Sequence, residues 1–528
     1  MATSVSRPAW EPRVRALATA RIVVPVGLGL LVALSLMLKD AELNVGYWID
    51  EGLSVGIADR PLTDIPGILR QDGSPPLYYM LLNVWMKLAG QGERATHWLS
   101  LLFALATVPV AFWGAGLVFG RRAAWFAAVL AALNPFMTYY AQETRMYALV
   151  VLLGMLATAL FLRAYTADER PARRWPVWFG LVLAAELYTH NWALFFGVAL
   201  FVAWLVLLWL APSADRPARL RDGALGFGLS ALLYLPWVPS LLFQVAHTGA
   251  PWSRRPGFEE LTQNVPHRLL GHSAWLVVLV AGGAGAAALV RAGRGRRLTA
   301  EGRAVVAVGI VAFGTVLLAF AASQVAPAWV GRYLAAAIPP FLLLSAAGLA
   351  AARGVGLFAL VVVATLWFYY EPPTQKSNVR QMAAAISPSL RPGDVVVSTH
   401  PEQVPVLSHY LPDGLRYATP MGFVPEVGVT DWRDGVERLR ATSPERDLQP
   451  ILDQLAPGRR LVLVRPIIGD DLTSWRAPWT ELVRLRSEEW EQYVTNDRRF
   501  RPTSIYPPEK DKYGPKPLRA TVLMKATP

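Results

Sequence analysis

The sequence predicts a polytopic α-helical membrane protein of about eleven spans, followed by a small extracytoplasmic α/β domain. Three observations carry that expectation. Of 528 residues, 54% are hydrophobic and only 17% charged, with a mean hydropathy of +0.33; soluble domains carry about a quarter charged residues. Apolar runs long enough to cross a hydrocarbon core of about 30 Å follow one another through the first 370 residues. The arginines between those runs fall in alternate short loops.

The spans are expected near 22–38, 97–119, 123–140, 144–163, 176–190, 192–211, 223–242, 274–290, 304–323, 333–352 and 355–370. No small-residue cleavage site follows the first run, so it reads as a retained helix. Arg7, Arg13, Arg15 and Arg21 precede it. Arg121 and Arg122, then Arg163, Arg170, Arg173 and Arg174, then Arg216, Arg219 and Arg221 fill alternate loops. Arg291, Arg294, Arg296, Arg297, Arg303 and finally Arg353 complete the set. Counted this way, all lie on one side, and that side is the cytoplasm. The net charge of +13 is therefore a topology signal rather than a nucleic-acid footprint.

The first outer loop, 39–96, is rich in acids. Within it, 75–90 is apolar enough to be a span, but counting it would put Arg121 and the 291–303 cluster outside. It is expected instead to lie at the interface as an amphipathic helix, with Tyr78, Tyr79 and Trp85 at headgroup depth. Pro372-Pro373 ends the last helix and closes the transmembrane domain, 1–370. An odd number of spans places the remainder, 371–528, outside the cytoplasm. There, 395–397, 461–464 and 521–524 read as buried strands, and 378–390, 431–441 and 479–493 as helices. The chain has no cysteine, which excludes disulfides, thiolate metal sites and cysteine nucleophiles and suits an oxidising compartment.

Polar residues in the outer loops carry the chemistry. Neither ATP nor sugar nucleotides are ordinarily available on that face, so carboxylates there favour a lipid-borne substrate. Moving a sugar from a lipid phosphate to a hydroxyl needs a base for the hydroxyl proton and cations for the departing phosphate. It needs no general acid, because the phosphate leaves as an anion. Asp50 and Glu51, set among Tyr47, Trp48, Ile49 and Leu53, are unfavourably placed for idle charges; Asp50 is expected to be the base and Glu51 to meet acceptor or a divalent metal. Glu143 and Arg145, in the run Gln142-Glu-Thr-Arg-Met-Tyr147, supply a second carboxylate and a phosphate or sugar contact. His190 in Tyr188-Thr-His-Asn191 and Arg332 in Gly331-Arg-Tyr333 are further candidates at the same face. Asp72, within Asp72-Gly-Ser-Pro-Pro76, is a possible further ligand; Arg254, Arg255 and His267 are weaker ones.

These motifs occur in a recognisable order. An Asp-Glu pair comes first, then Pro-Pro-Leu-Tyr-Tyr, Gln-Glu-x-Arg-x-Tyr-Ala-Leu, Tyr-Thr-His, and Arg-Tyr-Leu with prolines behind it. Over roughly residues 20–400 the chain resembles bacterial membrane glycosyltransferases of the GT-C class, in the branch similar to family 39 protein mannosyltransferases and lipid A aminoarabinose transferases. The resemblance implies a GT-C fold and a polyprenyl-phosphate sugar donor, with mannose favoured. It implies inversion at the anomeric carbon and a glycan, glycolipid or protein acceptor in the cell envelope. It also implies Asp50 as the catalytic base and Glu143 as a second acidic residue. With Glu51 these are the expected catalytic residues, and Asp72, Tyr79, Arg145, Tyr147, His190, Arg332 and Tyr333 are expected around the substrates. The setting it implies is the inner membrane of a bacterium. Many relatives carry Asp-x-His-Pro-Pro where this chain has Asp72-Gly-Ser-Pro-Pro76, so a histidine that could serve metal or acceptor is missing.

Two other classes compete. A transporter or flippase of lipid-linked sugars would show matched halves with helices broken at mid-membrane depth, whereas here the polar groups gather on one face. A non-catalytic envelope assembly protein would have no need for acids in three outer loops.

Overall fold

The protein was analysed as a computed structural model that describes residues 11–40, 43–168, 172–271, 273–293, 298–371, 375–507 and 516–527. Among the described residues, eight helices are long and apolar enough to cross a membrane. One of them, Glu93–Leu133, is two helices joined at Gly120, whose φ of 81° and ψ of 177° break the helical path. With the shorter helices Arg174–Leu187 and Arg353–Phe368, every expected stretch has helical cover. Leu232, Val280 and Phe358 are among many large apolar side chains on the outer faces, exposed by 66%, 71% and 71%. Such surface belongs in lipid. Of the arginines that set the expected orientation, Arg7, Arg170, Arg294, Arg296 and Arg297 lie outside the described residues, as do Pro372 and Pro373.

Two stretches differ from expectation. The run 123–140 is not one helix, because Asn134 leaves the helical region and Pro135 starts a new helix, Pro135–Tyr140. The Asn134 side chain accepts the Met137 N–H at 3.2 Å and caps that new turn. The segment 75–90 is indeed a short helix, Leu77–Ala89, about 20 Å long by its 13 residues. Its tyrosines do not face headgroups, however. Tyr78 and Tyr79 are fully buried, and the Tyr78 hydroxyl pairs with Ser100 at 3.3 Å. Leu81, Val84 and Leu88 form the exposed face instead. The polar tips found better partners in the protein than at the interface.

The C-terminal region forms a six-stranded sheet from β1 (Val395–Ser398), β2 (Arg416–Thr419), β3 (Gly422–Phe423), β4 (Arg460–Pro466), β5 (Phe500–Tyr506) and β6 (Leu518–Lys525), in the order β3-β2-β1-β4-β6-β5. The expected strands are β1, β4 and β6; the sequence signal for the other three was too short or too polar. β1 is parallel to both β2 and β4, while β6 is antiparallel to β4 and β5. Strand side chains alternate faces. Val395, Val397, Leu461 and Leu463 pack with Trp490 on one side, whereas Val396, Val462 and Val464 join the core of the membrane part. Both faces being covered explains the unbroken apolar runs in β1 and β4.

This region is seated on the first loop. The Tyr410 hydroxyl accepts the Tyr47 N–H at 2.7 Å and donates to Glu93 at 2.7 Å, and Arg380 reaches the same carboxylate at 3.1 Å. Arg254 donates to the Thr473 carbonyl at 3.4 Å, a docking contact rather than a substrate contact.

Candidate active site

Helix Ile49–Ala58 places the first two acids. Asp50 and Glu51 occupy its first turn, where unpaired backbone N–H groups favour negative charge. Glu51 turns back to accept the Trp48 N–H at 3.4 Å, its other oxygen takes the Thr144 N–H at 2.8 Å, and His97 sits at 2.7 Å. The opposite His97 nitrogen meets the Leu43 carbonyl at 2.9 Å, so both ring nitrogens face oxygen acceptors. Burial raises the Glu51 pKa, but His97, Lys376 and the Thr144 amide outweigh it and hold the group below its ordinary value. Sequence reasoning expected Glu51 to meet acceptor or metal. The structure encloses it instead, 2% exposed, as the tie between this helix and the Glu143 loop.

Asp50 faces the other way. Its Oδ2 lies 3.1 Å from an Arg332 terminal nitrogen, yet the two are not aligned as a hydrogen bond and Oδ2 has no other partner. Arg332 enters from the 3₁₀ turn Gly331–Ala337 that precedes helix Ile338–Ala351. Its guanidinium lies 5.7 Å from the Trp48 ring and 5.6 Å from the Tyr333 ring, cation–π contacts that hold a partly desolvated charge. Arg145 comes from the loop between Pro135–Tyr140 and Tyr147–Tyr165. It donates to the Asp50 carbonyl at 3.2 Å, the Ser54 hydroxyl at 3.0 Å and the Tyr79 hydroxyl at 3.4 Å, with its guanidinium 5.9 Å from the Tyr147 ring.

Glu143, on the same loop, is buried and pairs with Lys376 at 2.5 Å. Burial lowers the Lys376 pKa, but Glu143 and Glu51 more than restore it, so the ammonium stays protonated. One Glu143 oxygen, Oε2, has no partner. Asp72 ends helix Ile65–Asp72. Burial pushes its carboxyl up to about 6, against the pull of Arg145 and Ser74. His190 stacks edge-on against Tyr333 at 4.7 Å and lies 6.0 Å from Tyr147. Burial, aided by Arg145 and Arg332, drives its pKa down to about 3, and its Nδ1 accepts the Trp192 N–H at 3.1 Å. The ring is thus neutral and offers Nε2–H as a donor.

All ten expected site residues therefore belong to one cluster, linked through Asp50, Arg145, Arg332 and Glu143. His97, Lys376, Lys516 and Trp48 were missed as members. Trp48 was legible, since it adjoins the acids; His97 was taken only as a loop boundary. The two lysines belong to the C-terminal region, and no local pattern marks them. Among the described residues no group of three or more His, Asp and Glu side chains has metal-binding geometry; three carboxylates instead face Arg332, His97 and Lys376.

The architecture has known counterparts. ArnT from Cupriavidus metallidurans bound to undecaprenyl phosphate superimposes with a TM-score of 0.58 at 15% identity, covering 97% of this chain and 100% of that one. The fold is the GT-C fold. The Archaeoglobus fulgidus oligosaccharyltransferase tethered to an acceptor peptide gives a TM-score of 0.57 at 12% identity, over 89% of this chain and 72% of that one. AglB from the same organism, in complex with an inhibitory peptide and a dolichol-phosphate, gives 0.55 at 11%, over 84% and 70%. Residues 73–238 match the family model for dolichyl-phosphate-mannose-protein mannosyltransferase. That GT-C match runs from the Asp72 turn past Glu143, Arg145 and His190. The curated proteins contain no match.

Proposed function

We propose that the protein is an inverting glycosyltransferase that moves a sugar from a polyprenyl-phosphate carrier to an acceptor hydroxyl at the outer face of a bacterial inner membrane. The observation that carries this is the convergence of buried polar atoms without partners. Asp50 Oδ2, Glu143 Oε2, Arg332 Nε and Trp48 Nε1 all lack a hydrogen bond, and such groups are rare unless a ligand completes them. A carboxylate with a free lone pair beside two arginines is the set that the transfer requires. Neighbours of the same fold bind undecaprenyl phosphate and dolichol-phosphate, which supports a lipid-linked donor here.

In this mechanism the acceptor oxygen attacks the anomeric carbon from the face opposite the phosphate. The carbon–oxygen bond to the phosphate breaks, its electron pair leaves with the lipid phosphate, and the acceptor proton passes to Asp50. Arg332 and Arg145 stabilise the growing phosphate charge, and neutral His190 adds one N–H donor. Glu51 positions the helix that carries Asp50. Mannose is the first candidate sugar, on the strength of the family model over 73–238; arabinose, glucose and aminoarabinose are the others. Asp50→Asn keeps size and hydrogen bonding but removes the base. Transfer from polyprenyl-phosphate mannose, followed by mass spectrometry of the consumed lipid, should fall by about 10² to 10⁴; near wild-type turnover in the variant would refute the assignment.

A further inference from the structure

The C-terminal region carries a cleft of about 240 Å³ that the transfer chemistry leaves unexplained. It lies beyond the carboxyl ends of β1 and β4, lined by His400, Gln403, Ile467, Asp471, Trp475 and Lys516 among others. From β1 the chain passes to a parallel neighbour on one side, β2, and later returns to a parallel neighbour on the other, β4. In open α/β sheets that reversal parts the connections and leaves a crevice where ligands sit.

Two of the wall side chains are buried with unused valence. His400 and Gln403 are 5% and 1% exposed. Nε2 of His400 meets Glu402 at 2.9 Å, and Glu402 also accepts the Trp479 indole N–H at 2.9 Å. The histidine is thereby fixed, and its Nδ1 has no partner; neither has Oε1 of Gln403. With Nε2–H donating to Glu402, Nδ1 is an acceptor, as is the Gln403 oxygen, and Asp471 adds a carboxylate. Trp475 brings an indole whose centre is 6.3 Å from the His400 ring. Two unpartnered buried acceptors beside an aromatic face, with the exposed Asp471 carboxylate at the rim, suit a ring with several hydroxyl donors and an apolar C–H face.

Lys516 joins this cleft to the transfer site. Its pKa is held low by burial and by Arg332, with Glu402 and Asp50 pulling the other way. Its backbone N–H also bonds to the Lys376 carbonyl at 3.0 Å, next to the partner of Glu143.

Resting on the glycosyltransferase proposal, we infer that the cleft between the ends of β1 and β4 binds a neutral sugar unit of the acceptor and so presents the acceptor hydroxyl to Asp50. The full-length protein in nanodiscs is examined by saturation-transfer NMR with methyl glycosides of mannose, arabinose and galactose. At least one glycoside should receive saturation, and its signal should drop at least fivefold in both Gln403→Leu and Trp475→Ala. Retention of undecaprenyl phosphate by both variants shows that they are folded. Absence of signal for every glycoside, or equal signal in the variants, overturns the inference. Binding at the cleft does not need the base, so Asp50→Asn should keep the NMR signal while losing transfer. Active Asp50→Asn would defeat the transfer mechanism without touching the cleft.

Discussion

At Asp50 a charge must be held in place without being used up. Arg145 grips the backbone carbonyl of the residue, not its carboxylate, and Arg332 approaches Oδ2 without forming an aligned hydrogen bond. The next residue has the opposite fate. Glu51 is tied on both oxygens, and His97 Nε2 lies against it at 2.7 Å. His97→Ala would take the nearest side-chain partner from a buried carboxylate, and breaking such a buried pair costs up to about 3–5 kcal/mol. The expected result is a sharp fall in the thermal midpoint of the purified protein; an unchanged midpoint would mean that the pair contributes nothing. Asp72 gives a pH signature of its own. Its pKa rises on folding from an ordinary 3.8 to about 6 because burial disfavours the anion. Stability is therefore intact below about pH 4, declines as pH rises, and is lower by about 3 kcal/mol once pH passes the folded value. Asp72→Asn should flatten that decline between about pH 4 and about pH 7. Parallel melting curves for both proteins would count against a buried, ionising Asp72.

Helix Ile49–Ala58 carries the base, and its other face explains how the base is aimed. Gly52 and Gly56 are one turn apart. A methyl group on Gly52 would lie 2.5 Å from the Val406 side chain, and one on Gly56 would lie 2.0 Å from the Gly428 carbonyl oxygen. The helix therefore touches helix Val404–Tyr410 and the 428 backbone at distances that only glycine permits. Gly56→Ala should push the C-terminal region outward and lower transfer at least tenfold, although residue 56 is remote from the chemistry; displacements of about 1 Å can cost 10²-fold. Full activity in that variant would show that the seating is not needed. Much of this level was readable in the sequence. Apolar length gave the helices, and acids within aromatic runs gave Asp50, Glu143 and their arginines. What was hidden depended on contacts across the chain. Lys376 meets Glu143 over a separation of 233 residues, and no period or motif encodes that pairing. Tyr78 and Tyr79 carry an interfacial composition, but orientation is decided by partners such as Ser100 and Arg145. The break at Asn134 was a missed signal of a plainer kind, an Asn-Pro pair that caps one helix by ending another.

At the scale of the whole molecule, sidedness decides whether the site can receive its substrates. The cluster lies where the first loop, the 141–146 loop, the 331–337 turn and the C-terminal region meet, and Arg121, Arg122, Arg173, Arg174 and Arg219 lie just after the Gly120 break or at the starts of helices Arg174–Leu187 and Arg216–Tyr234, at helix ends that alternate with these along the chain. Under the proposed function, the positive-inside rule assigns the arginine-bearing ends to the cytoplasm and the C-terminal region with the cluster to the opposite compartment. The natural chain has no cysteine, which makes a direct measurement clean. Ser213 and Glu445 are both exposed, one between spans and one in the C-terminal region. In intact cells a membrane-impermeant maleimide should label Glu445→Cys and spare Ser213→Cys, while permeabilised cells should give label at both. The reverse pattern would bring Asp50 to the cytoplasmic face, where nucleotide sugars compete as donors and nothing would single out a lipid carrier. Because these side chains sit in one cluster, no local rearrangement could rescue the proposal from that result: moving the base across the bilayer moves Arg145, Arg332, Lys376 and the sheet with it.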